Sequence, residues 1–181
     1  MNDPLMWFAN RGSGFVLLAL LTLSTLLGVL STSRVTTRIW PRMLSQGLHR
    51  HVSLLAVTFL GAHAATAVVD TFVDIRWWHA FVPFAGTYEP VWLGFGALAM
   101  DLLVAVTLTS LVRHRMSHRP WRALHVMAYV AWGLGVIHGV KMGTDSPTMW
   151  GAALNYGCIG VVLVAVLARL GMLTRSAVVT Q

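Results

Sequence analysis

Five apolar segments, each of about twenty residues, follow one another along the chain with short polar stretches between them. They cover residues 12–30, 48–72, 90–112, 120–140 and 148–170. A transmembrane α-helix needs about 20 consecutive, mostly apolar residues. The pattern therefore predicts an all-α fold, an integral membrane bundle of five transmembrane helices that forms a single domain over residues 1–181.

The stretch between the second and third segments, residues 74–88, is too short to span a bilayer. It contains two tryptophans and two phenylalanines among polar residues. We expect it to lie on the membrane surface or to cap the bundle.

Composition supports membrane insertion. The chain is 56% hydrophobic and only 10% charged, whereas a soluble domain has about 25% charged residues. The net charge of +7 comes from twelve arginines and one lysine, against six acidic residues. Because these cations lie between the apolar segments, they indicate membrane topology rather than a nucleic-acid partner.

The arginines predict the orientation. Ten of them fall in the first and third loops, at the adjoining helix starts, or at the end of the fifth segment: Arg34, Arg38, Arg42, Arg50, Arg113, Arg115, Arg119, Arg122, Arg169 and Arg175. The opposite side has only Arg11, Arg76 and Lys141, diluted by acidic residues. The positive-inside rule then places the N-terminus outside and the C-terminus in the cytoplasm, in a multi-pass protein of the plasma (inner) membrane.

Histidines in the second and fourth segments are the candidate chemistry. His49 and His63 lie on one segment, and His125 and His138 on the other. An imidazole in hydrocarbon is costly and marks a functional site. The two pairs are separated by rises of about 21 and 19.5 Å in helices that run in the same direction. The simplest chemistry that needs this layout is two haems stacked through the membrane, each iron held by one histidine from each helix.

Helical rotation selects among the histidines of the second segment. His49 and His63 are fourteen residues apart, so they share a face to within about 40°. His51 is about 120° out of phase with His63. The ligand is therefore expected to be His49, with His51 interfacial or a polar partner of a haem propionate.

The fourth segment fits the geometry less well. Thirteen residues separate His125 from His138, which leaves them about 140° apart on an ideal helix. Gly133 and Gly135 lie between them. We expect a kink or bulge at these glycines to turn the second ring inward.

Charged and polar residues near the histidines are secondary candidates. Arg50 and Arg122 adjoin the cytoplasmic level and are predicted to bind haem propionates, with Arg76 and Lys141 available on the other side. Asp101, in the middle of the third segment, is a functional candidate by its position. Three roles are possible for Asp101: it lies on a proton path, it bonds the free N–H of a ligand histidine, or it pairs with a polar neighbour such as Thr107 or Ser53. For Trp132, near the middle of the fourth segment, packing is favoured over a role between the haems.

The remaining candidates are expected to be structural. His79, His114 and His118 fall in loops and are predicted to be solvated rather than to bind metal. Cys158, the single cysteine, is predicted to be an inert core thiol, and its solitude excludes an internal disulfide. Small residues of the third segment predict close helix packing: Gly94, Gly96, Ala97 and Ala99.

Several motifs carry a resemblance to a known family. They are W-F-A-N-R-G-S-G before the first segment, L-H-R-H-V-S-L-L in the second, and W-R-A-L-H-V-M-A-Y-V-A-W followed by H-G-V-K-M-G-T-D in the fourth. The chain resembles the ferric reductase-like transmembrane domain family, which includes the membrane parts of NADPH oxidases and the haem subunit of the bacterial periplasmic methionine sulfoxide reductase system. The resemblance implies two b-type haems, with His49 paired to His125 and His63 to His138. It also implies electron flow from a cytoplasmic or quinol donor to an extracytoplasmic acceptor.

The chain also departs from that family. Many members have six helices, and the oxidases carry a cytoplasmic flavin- and nicotinamide-binding region for which no G-x-G-x-x-G is present here. We therefore expect the haem membrane subunit of an oxidoreductase, which obtains electrons from a separate soluble flavin reductase or from quinol. The alternative is a haem-free membrane transport or assembly subunit whose histidines handle protons or metal.

Overall fold

A computed structural model describes residues 4–32, 41–70 and 73–179, and in these ranges the chain is helical without any strand. The long helices are α1 (Pro4–Thr32), α2 (Arg42–Val69), α3 (Pro90–Leu111), α4 (His118–Met142) and α5 (Met149–Val179). Each is long and apolar enough to cross a membrane, so the chain is a multi-pass membrane protein. The five predicted helices are thus confirmed.

Three helices begin earlier than the hydrophobic pattern predicts, α4 by two residues and the first two by more. The first starts at Pro4 instead of residue 12, because residues 5–9 are apolar or small and because proline suits the first helical turn. The second starts at Arg42 instead of residue 48, directly after Pro41 in an extended conformation. Arg34 and Arg38, which contribute to the orientation argument, lie outside the described residues.

The helices form two antiparallel pairs, α1 along α2 and α3 along α4, and α1 also contacts α4 and α5. The histidine-bearing helices α2 and α4 run parallel and have no extended backbone contact with each other. The space between these two helices is therefore bridged by side chains.

Two buried apolar clusters hold the pairs together. The first joins α1, α2 and α3 through Leu17, Ala56, Leu60 and Met100. The second joins α1, α4 and α5 through Leu18, Val136 and Cys158. Cys158 is a buried free thiol, as expected of a core residue.

The stretch between α2 and α3 forms a short 3₁₀ helix, Trp77–Ala80, that caps the bundle. Ala80 packs against the first cluster, so the turn is inserted between the helices rather than laid flat on a surface. Phe84 has a left-handed backbone with φ of 66°, and its ring lies against Gly94 of α3. The segment thus packs on the helix bundle, while Trp77 and Phe81 stay exposed.

Candidate functional site

The four histidines of α2 and α4 meet in two pairs, one above the other. The ring centroids of His49 and His125 are 6.1 Å apart, with an interplanar angle of 77°. Those of His63 and His138 are 6.3 Å apart, with an angle of 82°. We call these pairs the first tier (His49 and His125) and the second tier (His63 and His138).

The spacing in each tier fits two imidazoles on opposite sides of one metal ion. A metal–imidazole bond is about 2.0–2.1 Å long, and the centre of a five-membered ring lies about 1.1 Å from each of its atoms. Two imidazoles bound to one ion would therefore have centroids about 6.2–6.4 Å apart. Both observed distances agree with this value within about 0.2 Å, the tolerance expected of a metal site.

Each tier offers only two protein ligands. Among the described residues there is no group of three or more histidine, cysteine, aspartate or glutamate side chains that could hold a metal ion. A bare zinc or iron site usually needs more protein ligands than two. Two facing imidazoles without a further protein ligand among the described residues suit a metal that brings its own four equatorial ligands, as haem iron does.

Three of the histidines use their Nδ1 atom to bond a backbone carbonyl. The Nδ1–O distances are 2.9 Å from His49 to Ser24, 3.0 Å from His63 to Asn10, and 2.9 Å from His138 to Trp92. Since a carbonyl only accepts, Nδ1 carries the proton and Nε2 has a free lone pair. Metal-binding histidines almost always donate their other ring N–H in this way.

Each of these carbonyls is followed four residues later by a glycine that lies against the imidazole. A Cβ on Gly96 would lie 2.6 Å from Nδ1 of His138, and one on Gly14 would lie 3.1 Å from Cε1 of His63. At Gly28, the corresponding distance to Cε1 of His49 is 3.4 Å, an ordinary contact. The missing side chains open a path to the carbonyls of Trp92, Asn10 and Ser24 one turn earlier.

His125 is held by other means. Its Nδ1 lies 3.4 Å from the Ser110 hydroxyl, a longer and weaker contact than the three carbonyl bonds. Its ring stacks on Trp121 at 4.9 Å and 21°, and the Arg113 guanidinium lies 4.4 Å from the centre of the Trp121 ring. The indole Nε1–H of Trp121 is buried and has no hydrogen-bond acceptor in the part of the chain that the structure describes.

The helix that carries His125 and His138 is an unbroken α-helix through Gly133 and Gly135. The expected bulge at these glycines is therefore wrong. Both rings nevertheless reach their partners on α2 and turn their Nδ1 atoms toward α3. The two rings thus pair with α2 without an interruption of the helical assignment between them.

Asn10 binds the second tier with its side chain as well as its carbonyl. Its Nδ2 donates to the His63 carbonyl at 3.0 Å and to the Thr66 hydroxyl at 3.2 Å. The Ser24 hydroxyl lies 2.7 Å from that of Ser53 and 3.3 Å from Nδ1 of His49. The polar residues of α1 thus fix the turns of α2 that carry His49 and His63.

The arginines predicted to bind propionates do not touch the histidines. Arg50 and Arg122 are both exposed, and Arg122 lines an open groove on α4. On the other side, Arg76 bonds Asp74, while Lys141 lies 5.0 Å from the ring centre of Trp92. The cation that the structure places next to the first tier is Arg113, which sequence reasoning did not single out.

Asp101 makes no hydrogen bond to the four paired histidines in the described part of the chain, and their Nδ1 atoms bond other partners. The two proposed polar partners are hydrogen-bonded within their own helices. The Thr107 hydroxyl donates to the backbone carbonyl of Leu103, and the Ser53 hydroxyl donates to the backbone carbonyl of His49. The half-buried carboxylate of Asp101 makes no hydrogen bond or ion pair within the described ranges of the chain.

The remaining histidines lie apart from the tiers. His51 is exposed and bonds the Gly47 carbonyl of its own helix. His114 and His118 are exposed, as predicted. His79 is only 6% exposed, so the prediction that it is solvated is wrong. Its Nδ1 accepts the backbone N–H of Arg76, which secures the inserted turn.

Trp132 packs against the second apolar cluster and donates its indole N–H to the Thr22 hydroxyl at 3.1 Å. By residue position it lies midway between His125 and His138 on α4. The contacts observed for Trp132 are those of a packing residue that satisfies its one polar atom inside the bundle.

Sequence reasoning found the four histidines but missed what holds them: Asn10, Ser24, Trp92, Ser110, Arg113 and Trp121. A signal for three of these was present, namely a glycine four residues after each carbonyl, at positions 14, 28 and 96. The glycines on α1 are fourteen residues apart, the same spacing as the histidines on the antiparallel α2.

Comparison with known proteins places the chain in a family. The chain belongs to the family described as a domain of unknown function, DUF8596, whose model matches residues 5–145. That range contains all four histidines and all of their anchors. No curated protein and no solved structure matches the chain.

Proposed function

We propose that this protein is a transmembrane electron carrier that binds two b-type haems, one in each tier. The observation that supports the proposal best is the combination of paired imidazoles at 6.1 and 6.3 Å with free Nε2 atoms. Structural histidines in a membrane helix need a hydrogen-bond partner, but they have no reason to meet in pairs. The observed separation of the ring centres is twice the distance from a metal ion to the centre of an imidazole bound to it.

The residues of the chain would do three things for the cofactors. His49, His125, His63 and His138 would provide the axial ligands. The carbonyls of α1 and α3 would fix the tautomer and aim Nε2 into the space between α2 and α4. Haem iron held by two neutral imidazoles passes single electrons with little rearrangement and has no open position for substrate.

The arginine distribution supports the orientation that we propose, with the first tier on the cytoplasmic side of the plasma (inner) membrane and the second tier outside. The two tiers are about 20 Å apart by helical rise, which covers most of a bilayer core of about 30 Å. Electrons would then cross the membrane from a cytoplasmic or quinol donor to an extracytoplasmic acceptor.

The resemblance to the ferric reductase-like transmembrane family supports the same proposal. The chain would act as the haem subunit of an oxidoreductase and receive electrons from a soluble flavin reductase or from the quinol pool. The acceptor is proposed by class alone, as a redox partner on the outer side that can approach the second tier.

A difference spectrum of the purified protein with single-histidine variants tests the proposal. The wild type should show b-type bands on reduction and two haems per chain. His138→Ala should lose one haem and keep the other, and so should His125→Ala. His114→Ala, which changes an exposed histidine outside the tiers, is the matched control. A colourless, folded wild-type protein would instead support a haem-free transport or assembly subunit.

A further inference from the structure

The four ligand positions are not equivalent, because one of the four histidines lacks a carbonyl anchor. His49, His63 and His138 donate to carbonyls at 2.9–3.0 Å, whereas the one partner of Nδ1 of His125 among the described residues is the Ser110 hydroxyl, at 3.4 Å. The weaker contact lies in the first tier, and both ligands of the second tier are carbonyl-anchored.

The helix register explains this difference. On α3, the carbonyl of Trp92 and the glycine at position 96 form the anchor of His138. Fourteen residues later, on nearly the same face of α3, the corresponding positions are Val106 and Ser110. The two anchors on α1 are also fourteen residues apart. Ser110 thus occupies the position that is glycine at the other three sites, and its hydroxyl replaces a carbonyl as the partner of His125.

This exchange has an electronic consequence. Donation of the Nδ1 proton to a carbonyl makes an imidazole a more basic ligand, which stabilises ferric iron more than ferrous iron and lowers the midpoint potential. A hydroxyl at 3.4 Å does this less well. We propose that Ser110 sets the midpoint potential of the first tier above that of the second. This inference rests on the proposed function, because it concerns haem bound in the tiers.

Nearby cations do not account for the asymmetry by themselves. Arg113 lies over Trp121, which stacks on His125, and a positive charge there favours the reduced state of the first tier. The second tier also has a cation close by, since Lys141 lies over Trp92. Both tiers thus have a cation over an adjoining tryptophan ring, whereas the hydrogen-bond partner of Nδ1 differs between His125 and His138.

The asymmetry would affect how electrons are shared. With the first tier at the higher potential, a single electron that enters the protein rests near the cytoplasmic side. The second tier would then be reduced when a further electron arrives, or transiently while an electron passes from the first tier to an outer acceptor. Ser110 is a positioning residue in this scheme, since it acts through His125.

A potentiometric titration of the purified haem-loaded protein, followed at its b-type absorbance band, tests the inference. The wild type should titrate as two one-electron components. Ser110→Gly, which opens the path to the Val106 carbonyl, should shift the higher midpoint downward. The strength of a neutral hydrogen bond corresponds to about a two- to ten-fold change in the ratio of reduced to oxidised haem at a fixed potential. A tenfold change equals a midpoint shift of about 59 mV for one electron, which is the upper limit expected.

Two further variants keep the test sharp. Ser110→Ala removes the hydroxyl without opening the path and should shift the same midpoint upward, while Ser110→Thr keeps a hydroxyl and should stay near the wild type. Thr107→Gly is the matched control for a glycine in α3, because its hydroxyl bonds only the Leu103 carbonyl of its own helix; it should shift neither midpoint.

The inference is overturned if Ser110→Gly and Ser110→Ala leave the higher midpoint in place, shift it in the same direction, or act on the lower one. A single shared midpoint in the wild type would overturn it as well. A protein that binds no haem would instead overturn the proposed function, so the two failures can be told apart.

Discussion

Gly96→Ala is the substitution that tests the second tier most sharply. The added Cβ would lie 2.6 Å from Nδ1 and 2.7 Å from Cε1 of His138. Ordinary contacts between such atoms begin at about 3.5 Å, so the ring would have to retreat by about 0.9 Å. Metal–ligand distances tolerate only about 0.2 Å. The methyl group would also obstruct the bond between Nδ1 and the Trp92 carbonyl.

The expected effect is a selective loss of one haem. Forcing a methyl group into a packed site costs about 1–3 kcal/mol, and loss of a partner that orients a metal ligand lowers affinity about 10–100-fold. The haem content of purified Gly96→Ala protein should therefore fall from two per chain toward one. Haem extraction and the difference spectrum measure this directly.

The glycines of the chain provide a graded control series. The distance from the added Cβ to the nearest imidazole atom rises to 3.1 Å for Gly14→Ala and 3.4 Å for Gly28→Ala, and Gly133→Ala meets nothing within 4 Å. Haem loss should follow that order, with little or none at positions 28 and 133. Gly96→Ala protein that retains two haems, as Gly133→Ala does, would refute the reasoning.

Three further predictions concern the geometry around the tiers. The imidazole planes are nearly perpendicular, at 77° and 82°. Because crossed planes leave two iron d orbitals nearly equal in energy, the oxidised protein should give a strongly anisotropic low-spin ferric signal in electron paramagnetic resonance. A signal typical of parallel planes would contradict the geometry. Asn10→Ala removes two side-chain hydrogen bonds to α2 but keeps the carbonyl anchor of His63. It should lower the free energy of unfolding by about 1–2 kcal/mol with both haems retained. Thermal unfolding in detergent at the wild-type temperature would contradict this prediction. Thr22→Val leaves the indole N–H of Trp132 without its acceptor. It should lower the free energy of unfolding by about 0.6–2 kcal/mol and leave the haem content unchanged. A loss of haem would show that Trp132 does more than pack.

The fold and the histidine pairs follow from sequence because each depends on a repeat along one helix. Apolar length sets the number of spans, and the rise per residue sets the levels of His49, His63, His125 and His138. The parallel direction of α2 and α4 then determines which histidines meet.

The anchors depend on contacts between helices, which no single-helix pattern specifies. A carbonyl becomes an acceptor for a neighbouring imidazole where the residue one turn later leaves room for the ring, as Gly96 does, and where the helix register places an imidazole opposite. The expected bulge in α4 failed for a related reason. A rotation of about 100° per residue fixes where each side chain leaves the backbone and not where its ring lies, and the rings of His125 and His138 both reach their partners on α2.

His79 shows the limit of interpreting loops by their polarity. The turn that carries it lies in a connecting stretch, yet Ala80 beside it packs against the core between the helices. Burial of the imidazole follows from that insertion, which neither hydropathy nor residue type reveals.

Electron transfer across sealed vesicles tests the central claim most directly. Purified protein is reconstituted into vesicles with a membrane-impermeant reductant trapped inside and an impermeant one-electron acceptor outside. The reduction of the outer acceptor is measured for vesicles with the wild type, with His125→Ala, with His138→Ala and without protein. We predict outer reduction with the wild type and a loss to the protein-free level in either variant, because each lacks one tier. Equal rates in wild-type and protein-free vesicles, or full transfer with only one tier, would contradict the claim that stacked histidine pairs carry electrons through this bundle.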